Sequence, residues 1–204
     1  MTMELTMNET DRLQVVAMLA GVRNGAPKVL SRAVNKTLDG VKTDADREIR
    51  SIITMKKTDV MKTFTTRKAT VSNLSARVIC SDKPESLIKF SNTQLKKGIS
   101  VKVLKSSSRT VLKHAFYVKT LDKEGNENKW IAERKNKDKG QSARKNVVYS
   151  ALPKRYRLPI EKLTGPRVAD IMGKPAVMKK IQNQAEERLH KNINQQLNYE
   201  LSKL

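Results

Sequence analysis

From Pro27 onward the apolar positions fall at Leu30, Val34, Leu38, Val41, Ala45, Ile49 and Ile52, in steps of four, four, three, four, four and three. Side chains three and four apart share one face of a helix, and an eleven-residue repeat keeps that face nearly straight. The pattern predicts one long amphipathic helix. Gly40 costs about 1 kcal/mol relative to Ala inside it, yet the stripe stays in phase on both sides. A shorter helix over 11–22 precedes it, ended by Gly25 and Pro27. Another short helix covers 58–64, capped by Thr58 or Asp59.

At about Thr65 the period changes. Ile99, Val101 and Val103 alternate with Ser100 and Lys102, the period of a half-buried strand. Arg77, Ile79 and Ser81 share one face, Val78 and Cys80 the other. ESLIKF, TVLKHAFYVKT and NKWIAERK are further runs rich in strand formers, with Trp130 and Ile131 anchoring the last. The turns SDKPE, NTQLKKG, KSSSR and DKEGNEN separate them. An antiparallel meander over 65–135 is predicted, with one face on the long helix and the other toward solvent or a partner.

Residues 136–146 have no apolar periodicity and read as a basic, flexible loop. Residues 147–165 read as a joint. Pro159 pushes Leu158 into an extended conformation, Thr164 or Gly165 supplies a helix cap, and Pro166 takes the first helical position. Residues 166–204 are helical, with Val177, Ile181, Ala185, Leu189, Ile193, Leu197 and Leu201 in steps of four. Each such step drifts about 40° around an α-helix, so this stripe winds and its two ends meet different surfaces. The first half packs on the chain's own sheet. The second half, through Leu189, Ile193, Leu197 and Leu201, meets a neighbouring subunit, or else it frays. The parts compose one α+β domain over 1–204: a long N-terminal helix packed on an antiparallel β-meander, with a C-terminal helix.

Charge changes the picture of partners. The 204 residues hold 42 Lys and Arg against 20 Asp and Glu, a formal net charge of +22. A lone compact monomer with that charge repels itself, so an acidic neighbour, either nucleic acid or protein, is expected, free counterions being the alternative. The one cysteine excludes an intrachain disulfide. No apolar stretch approaches the roughly 20 residues of a membrane helix, and the N-terminal residues do not read as a signal peptide. The chain reads as one made in a cytoplasm.

Candidate chemistry is sparse. His114 and His190 stand at no metal-ligand spacing. Cys80 reads as a small buried residue, and Asp44 and Asp46 diverge on a helix that also carries Arg47 and Arg50. No catalytic residue, metal ligand or cofactor site is predicted, and no enzymatic function. The cations are the stronger signal: Lys96, Lys97, Lys102, Lys105 and Arg109, then Lys135, Lys137, Lys139, Arg144 and Lys145. Lysine dominates and aromatic residues are not interleaved, which disfavours base stacking and base reading. What remains is salt-sensitive attraction to DNA phosphates or to an acidic partner, or a solvated face.

The order AVNKTLDGVKTDADREI, LIKF, SVKVLKSSSRTVLKHAFYV, KWIAERK and LPIEKLTGPRVADIM resembles the minor tail protein Z family, the tail-completion proteins of lambda-type long-tailed bacteriophages. The resemblance runs from about Ala26 to Leu204 and is carried most by Trp130, Arg134, Pro159, Ile160, Gly165 and Pro166. It implies a structural virion protein at the head-proximal end of the tail, in the neck, assembled in the host cytoplasm. It also implies a ring, commonly sixfold, around the DNA channel. Implied partners are other copies, the tail terminator, the tail tube, the head-completion protein and the DNA, with no membrane. On this reading Pro159, Ile160, Gly165 and Pro166 form an assembly joint. A non-specific basic nucleic-acid-binding protein is the alternative.

Overall fold

The computed structural model describes residues 1–6, 9–20, 25–121, 124–125, 127–134 and 160–203. The chain divides into two compact units. Met1–Arg50, Lys57–Lys83 and Arg167–Leu204 make the first, and Ser51–Lys56 with Pro84–Pro166 the second.

In the first unit the periodic stripe builds helix α2, Gly25–Ile52, unbroken across Gly40. Leu30, Val34, Leu38, Val41, Ala45 and Ile49 are all buried. Each large one among them contributes about 1.5–3 kcal/mol by leaving water. The last helix, numbered α5 here, spans Pro175–Leu201 with Pro175 in its first turn. It runs antiparallel to α2. Lys180 pairs with Glu48 at 2.6 Å, Arg188 with Asp44 at 2.5 Å and Arg32 with Glu200 at 2.6 Å. Between these, Asn192 donates to Thr37 Oγ1 at 2.9 Å and Lys36 to Gln195 at 2.9 Å. Gly40 has a purpose in this pair. A Cβ there would overlap Cδ and Nε of Arg188, whose side chain crosses α2 at that point to reach the buried Asp44.

Val177, Ile181, Ala185, Leu189, Ile193 and Leu197 are buried, although their stripe winds. Strand β1, Thr2–Leu5, lines one cleft together with Gln182, Ala185 and Leu189. Helix α1, Glu9–Met18, lines another with His190, Ile193 and Leu197, and Asp11 sits 3.2 Å from His190. The first half of α5 therefore flanks the sheet that contains β1. The second half flanks α1 of the same chain. The sheet has the order β1-β3-β2, with β2 at Phe64–Arg67 and β3 at Ala76–Cys80. Ala76, Val78 and Cys80 point inward from the central strand. Asn35 of α2 exchanges two hydrogen bonds with the main chain of Ala69, at 2.9 and 2.8 Å. The short α3, Lys57–Met61, precedes β2.

The second unit holds two further antiparallel sheets. The first is β4-β5-β6, from Ser91–Leu95, Gly98–Lys102 and Thr110–Lys113. The other is β7-β8-β9, from Phe116–Leu121, Glu127–Arg134 and Ile160–Lys162. Ile53 bridges Leu104, and Lys105 N–H donates to the Ile52 carbonyl at 2.8 Å. Ile131, fully buried, sits on the central strand β8, while Trp130 is half-buried.

The α+β class, the long N-terminal helix, the antiparallel strands and the C-terminal helix are as the sequence predicts. The strands between 65 and 135 sort into three sheets, because β3 is claimed by β1 and β2. ESLIKF folds as a 3-10 turn at Leu87–Lys89 instead of a strand. Helix α4, Val168–Met172, begins later than predicted: its N-cap is Arg167, not Thr164 or Gly165, and Pro166 lies outside it. Thr164 is held extended by its bridge to Ser86, and Gly165 N–H donates to the Glu85 carbonyl at 2.7 Å. A Cβ on Gly165 would come within 2.7 Å of Phe90, so the close approach there requires glycine.

Candidate polyanion interface

Between Ser86 and Leu121 the sequence contains Lys89, Lys96, Lys97, Lys102, Lys105, Arg109, Lys113 and Lys119, and no Asp or Glu. Charge of one sign over so long a run, without interspersed carboxylates, builds a local positive potential. The β4-β5-β6 sheet lies wholly inside this interval.

Folding sorts its cations into two groups. β4 and β5 are joined by the two residues Lys96 and Lys97, with Leu95 paired to Gly98. Two-residue hairpin loops usually need positive φ at the loop residues. Here Gly98 takes it instead, at 144°, and a Cβ at that position would collide with the Leu112 carbonyl oxygen. Gly98 also pairs with Lys113 at the end of β6. The next residue, His114, has φ 67° and is the one non-glycine with positive φ among the described residues. Its N–H donates to the Lys97 carbonyl at 3.3 Å, and Ala115 N–H to the Leu112 carbonyl at 3.3 Å. The corner between β6 and β7 is thereby tied to the hairpin tip. The result is an open pocket of about 470 Å³ lined by Gln94, Lys96, Lys97, Gly98, Lys113, His114 and Ala115. The three lysines and the histidine are exposed around it, while Gly98 and Ala115 are buried.

Lys102, Lys105 and Arg109 lie at the opposite end of the sheet. β5 separates them from the pocket by about 14 Å, at about 3.4 Å per residue. Ser91 pairs with Lys102 in the ladder and accepts a hydrogen bond from Arg109 at 2.7 Å. Elsewhere in the interval the cations have carboxylate partners. Lys89 pairs with Glu85 at 2.5 Å and Lys119 with Glu127 at 2.6 Å. The Lys119 hydrogen bond and charge hold the Glu127 carboxyl below its usual range.

The nearby aromatic rings are already engaged. Lys129 stands 3.9 Å over Tyr117, Arg134 stands 5.1 Å over Phe116, and Tyr117 Oη donates to Asn92 at 2.6 Å. Burial pushes the Tyr117 hydroxyl pKa up. The strands β4, β5 and β6 themselves carry charged and no aromatic side chains, which suits phosphates and not bases.

A family model of prophage minor tail protein Z matches residues 13–204. The chain belongs to the minor tail protein Z family. No curated protein and no solved structure matches it significantly. A minor tail protein Z chain is a structural protein of the phage tail.

For this minor tail protein the sequence candidates fall out unevenly. Lys96 and Lys97 share the pocket, while Lys102, Lys105 and Arg109 make the second group. Lys135, Lys137, Lys139, Arg144 and Lys145, with Pro159, lie outside the described residues. Ile160 opens β9, and Gly165 packs under Phe90 in the second unit. The chain passes from that unit to the first at Pro166–Arg167. Leu189, Ile193 and Leu197 are covered by the chain itself, so of the four helix positions only Leu201, 38% exposed, faces outward. By sequence His114 falls on a strand, at no metal-ligand spacing. The absence of carboxylates between Ser86 and Leu121 was the signal that could have drawn attention to it. Among the described residues, no three His, Cys, Asp or Glu side chains are grouped to hold a metal.

Proposed function

We propose that this minor tail protein is a tail-completion subunit of the neck. Copies form a ring, six by the family resemblance, at the head-proximal end of the tail. The ring terminates the tail and joins it to the head around the DNA channel. The family match over residues 13–204 supports this reading above all. A structural and not an enzymatic role agrees with how the carboxylates are used: Asp44 is paired to Arg188, and Asp46 is gripped by Arg50 at 2.9 and 3.0 Å.

The ring needs a face on each subunit for the next copy. Leu13, Val16 and Met18 on α1 are 61, 47 and 51% exposed, and Tyr199 and Leu201 on the last turns of α5 are 52 and 38% exposed. These residues belong to one unit, and Met18 and Asn198 line the same cleft. We assign this apolar face to a second copy.

Depleting the protein from an infection tests the assignment. Filled heads and full-length tails that fail to join, rescued by the protein in trans, are the expected result. Normal joined particles in its absence would remove the neck role. The alternative, a non-specific nucleic-acid-binding protein outside the virion, is favoured only by the charge and would show itself as particles lacking the protein.

A further inference from the structure

We propose that the pocket formed by Lys96, Lys97, Lys113 and His114 is a seat for phosphates of the nucleic-acid backbone. It is a local site within the second unit. Four observations converge on it. Three lysines line one concavity, and no carboxylate residue is among its described lining residues. None of the three makes an ion pair with a carboxylate of the described residues, unlike Lys89 and Lys119. Like charges brought together without counter-charge destabilise a fold through repulsion, so their convergence points to an external anion.

The backbone is also held in an uncommon state to build the pocket. Left-handed φ at a non-glycine residue is strained, and such residues gather at ligand sites. At His114 the strained turn sets an imidazole beside the lysines, where Gly would relieve the strain and remove the ring. Finally, the chemistry selects the ligand. Lysine presents a compact point charge that binds phosphate without planar geometry, whereas carboxylate recognition favours the arginine fork. Among its described lining residues there is no arginine and no large apolar side chain to anchor a protein partner. In a virion the nucleic acid would be the DNA of the channel, and that step alone rests on the neck assignment. Binding by the purified chain does not.

The test uses the full chain and a fluorescent 20-base-pair duplex, followed by anisotropy across a salt series. A Lys96→Gln/Lys97→Gln/Lys113→Gln variant should lose on the order of tenfold or more in affinity at low salt. Its log–log salt slope should fall by about 2 to 3, since each lost phosphate contact removes about 0.9. A Lys102→Gln/Lys105→Gln variant should retain the larger share of binding. His114→Gly should melt at the same temperature or higher while binding more weakly, a split that a purely structural histidine would not give. Equal binding by the triple variant and the native chain overturns the proposal, as does no binding at low salt. So does a preference for polyglutamate over the duplex, which would make the partner an acidic protein. Saturation by inorganic phosphate at fixed ionic strength, with the duplex undisplaced, would also overturn it. Melting curves of each variant guard against loss through misfolding.

Discussion

Gly40 reads as a defect until the neighbouring helix is considered. By propensity alone Gly40→Ala stabilises α2 by about 1 kcal/mol. Here the new methyl would occupy the path of Arg188, which must then give up its grip on Asp44. Arg188 is 41% exposed and can move, but Asp44 is 4% exposed and would keep only Arg47, 3.8 Å away. Gly40→Ala should therefore give no net gain in melting temperature in the native chain. In an Arg188→Ala background it should give the full gain of about 1 kcal/mol. A full gain in the native chain would contradict this use of Gly40. No residue spacing announces such a partnership, because the two positions are far apart in sequence. The same holds for His114, whose weight comes from a φ value and from Lys97, neither of which a local reading supplies.

Helices and strands were legible where their period was long. α2 was readable along its length because seven apolar positions stayed in phase, and every large one through Ile49 is buried. β1 was missed, since Met3 and Leu5 give only two turns of a period-two pattern. The winding stripe of α5 flanks β1 in its first half and α1 in its second. A short helix with Val15 and Leu19 buried could not be placed from sequence. The burial of the stripe has a direct consequence. Leu189→Ala should destabilise the subunit by about 2–5 kcal/mol, as a core truncation does. Leu201→Ala should change stability by less than about 0.5 kcal/mol and act on incorporation into tails. Thermal melts with a tail-incorporation assay separate the two, and similar melts for both variants would contradict the assignment. Pro166 stands where the chain leaves the second unit. Pro166→Gly should lower subunit stability by only about 0.4–1 kcal/mol, through the freer unfolded chain. Incorporation should fall further than that, and equal loss of both would remove the joint role.

At the scale of the whole molecule the two proposals rest on different parts of the chain, which its sequence interleaves. The family match and the outward apolar residues carry the proposal about assembly. The acid-free interval belongs to the second unit and carries the proposal about a polyanion. The net charge of +22 was visible at once, but not its division into a pocket and a second cluster at the far end of one sheet. That division depends on strand register, which sequence alone leaves open. The assembly claim comes first, because it decides which polyanion would be within reach of the proposed pocket. Cryo-electron microscopy of the intact phage, with this protein tagged, tests it. A closed ring of tagged copies at the head-proximal end of the tail, encircling the DNA channel, is the predicted result. Copies distributed along the tube, gathered at the distal tip, or missing from the particle would contradict it.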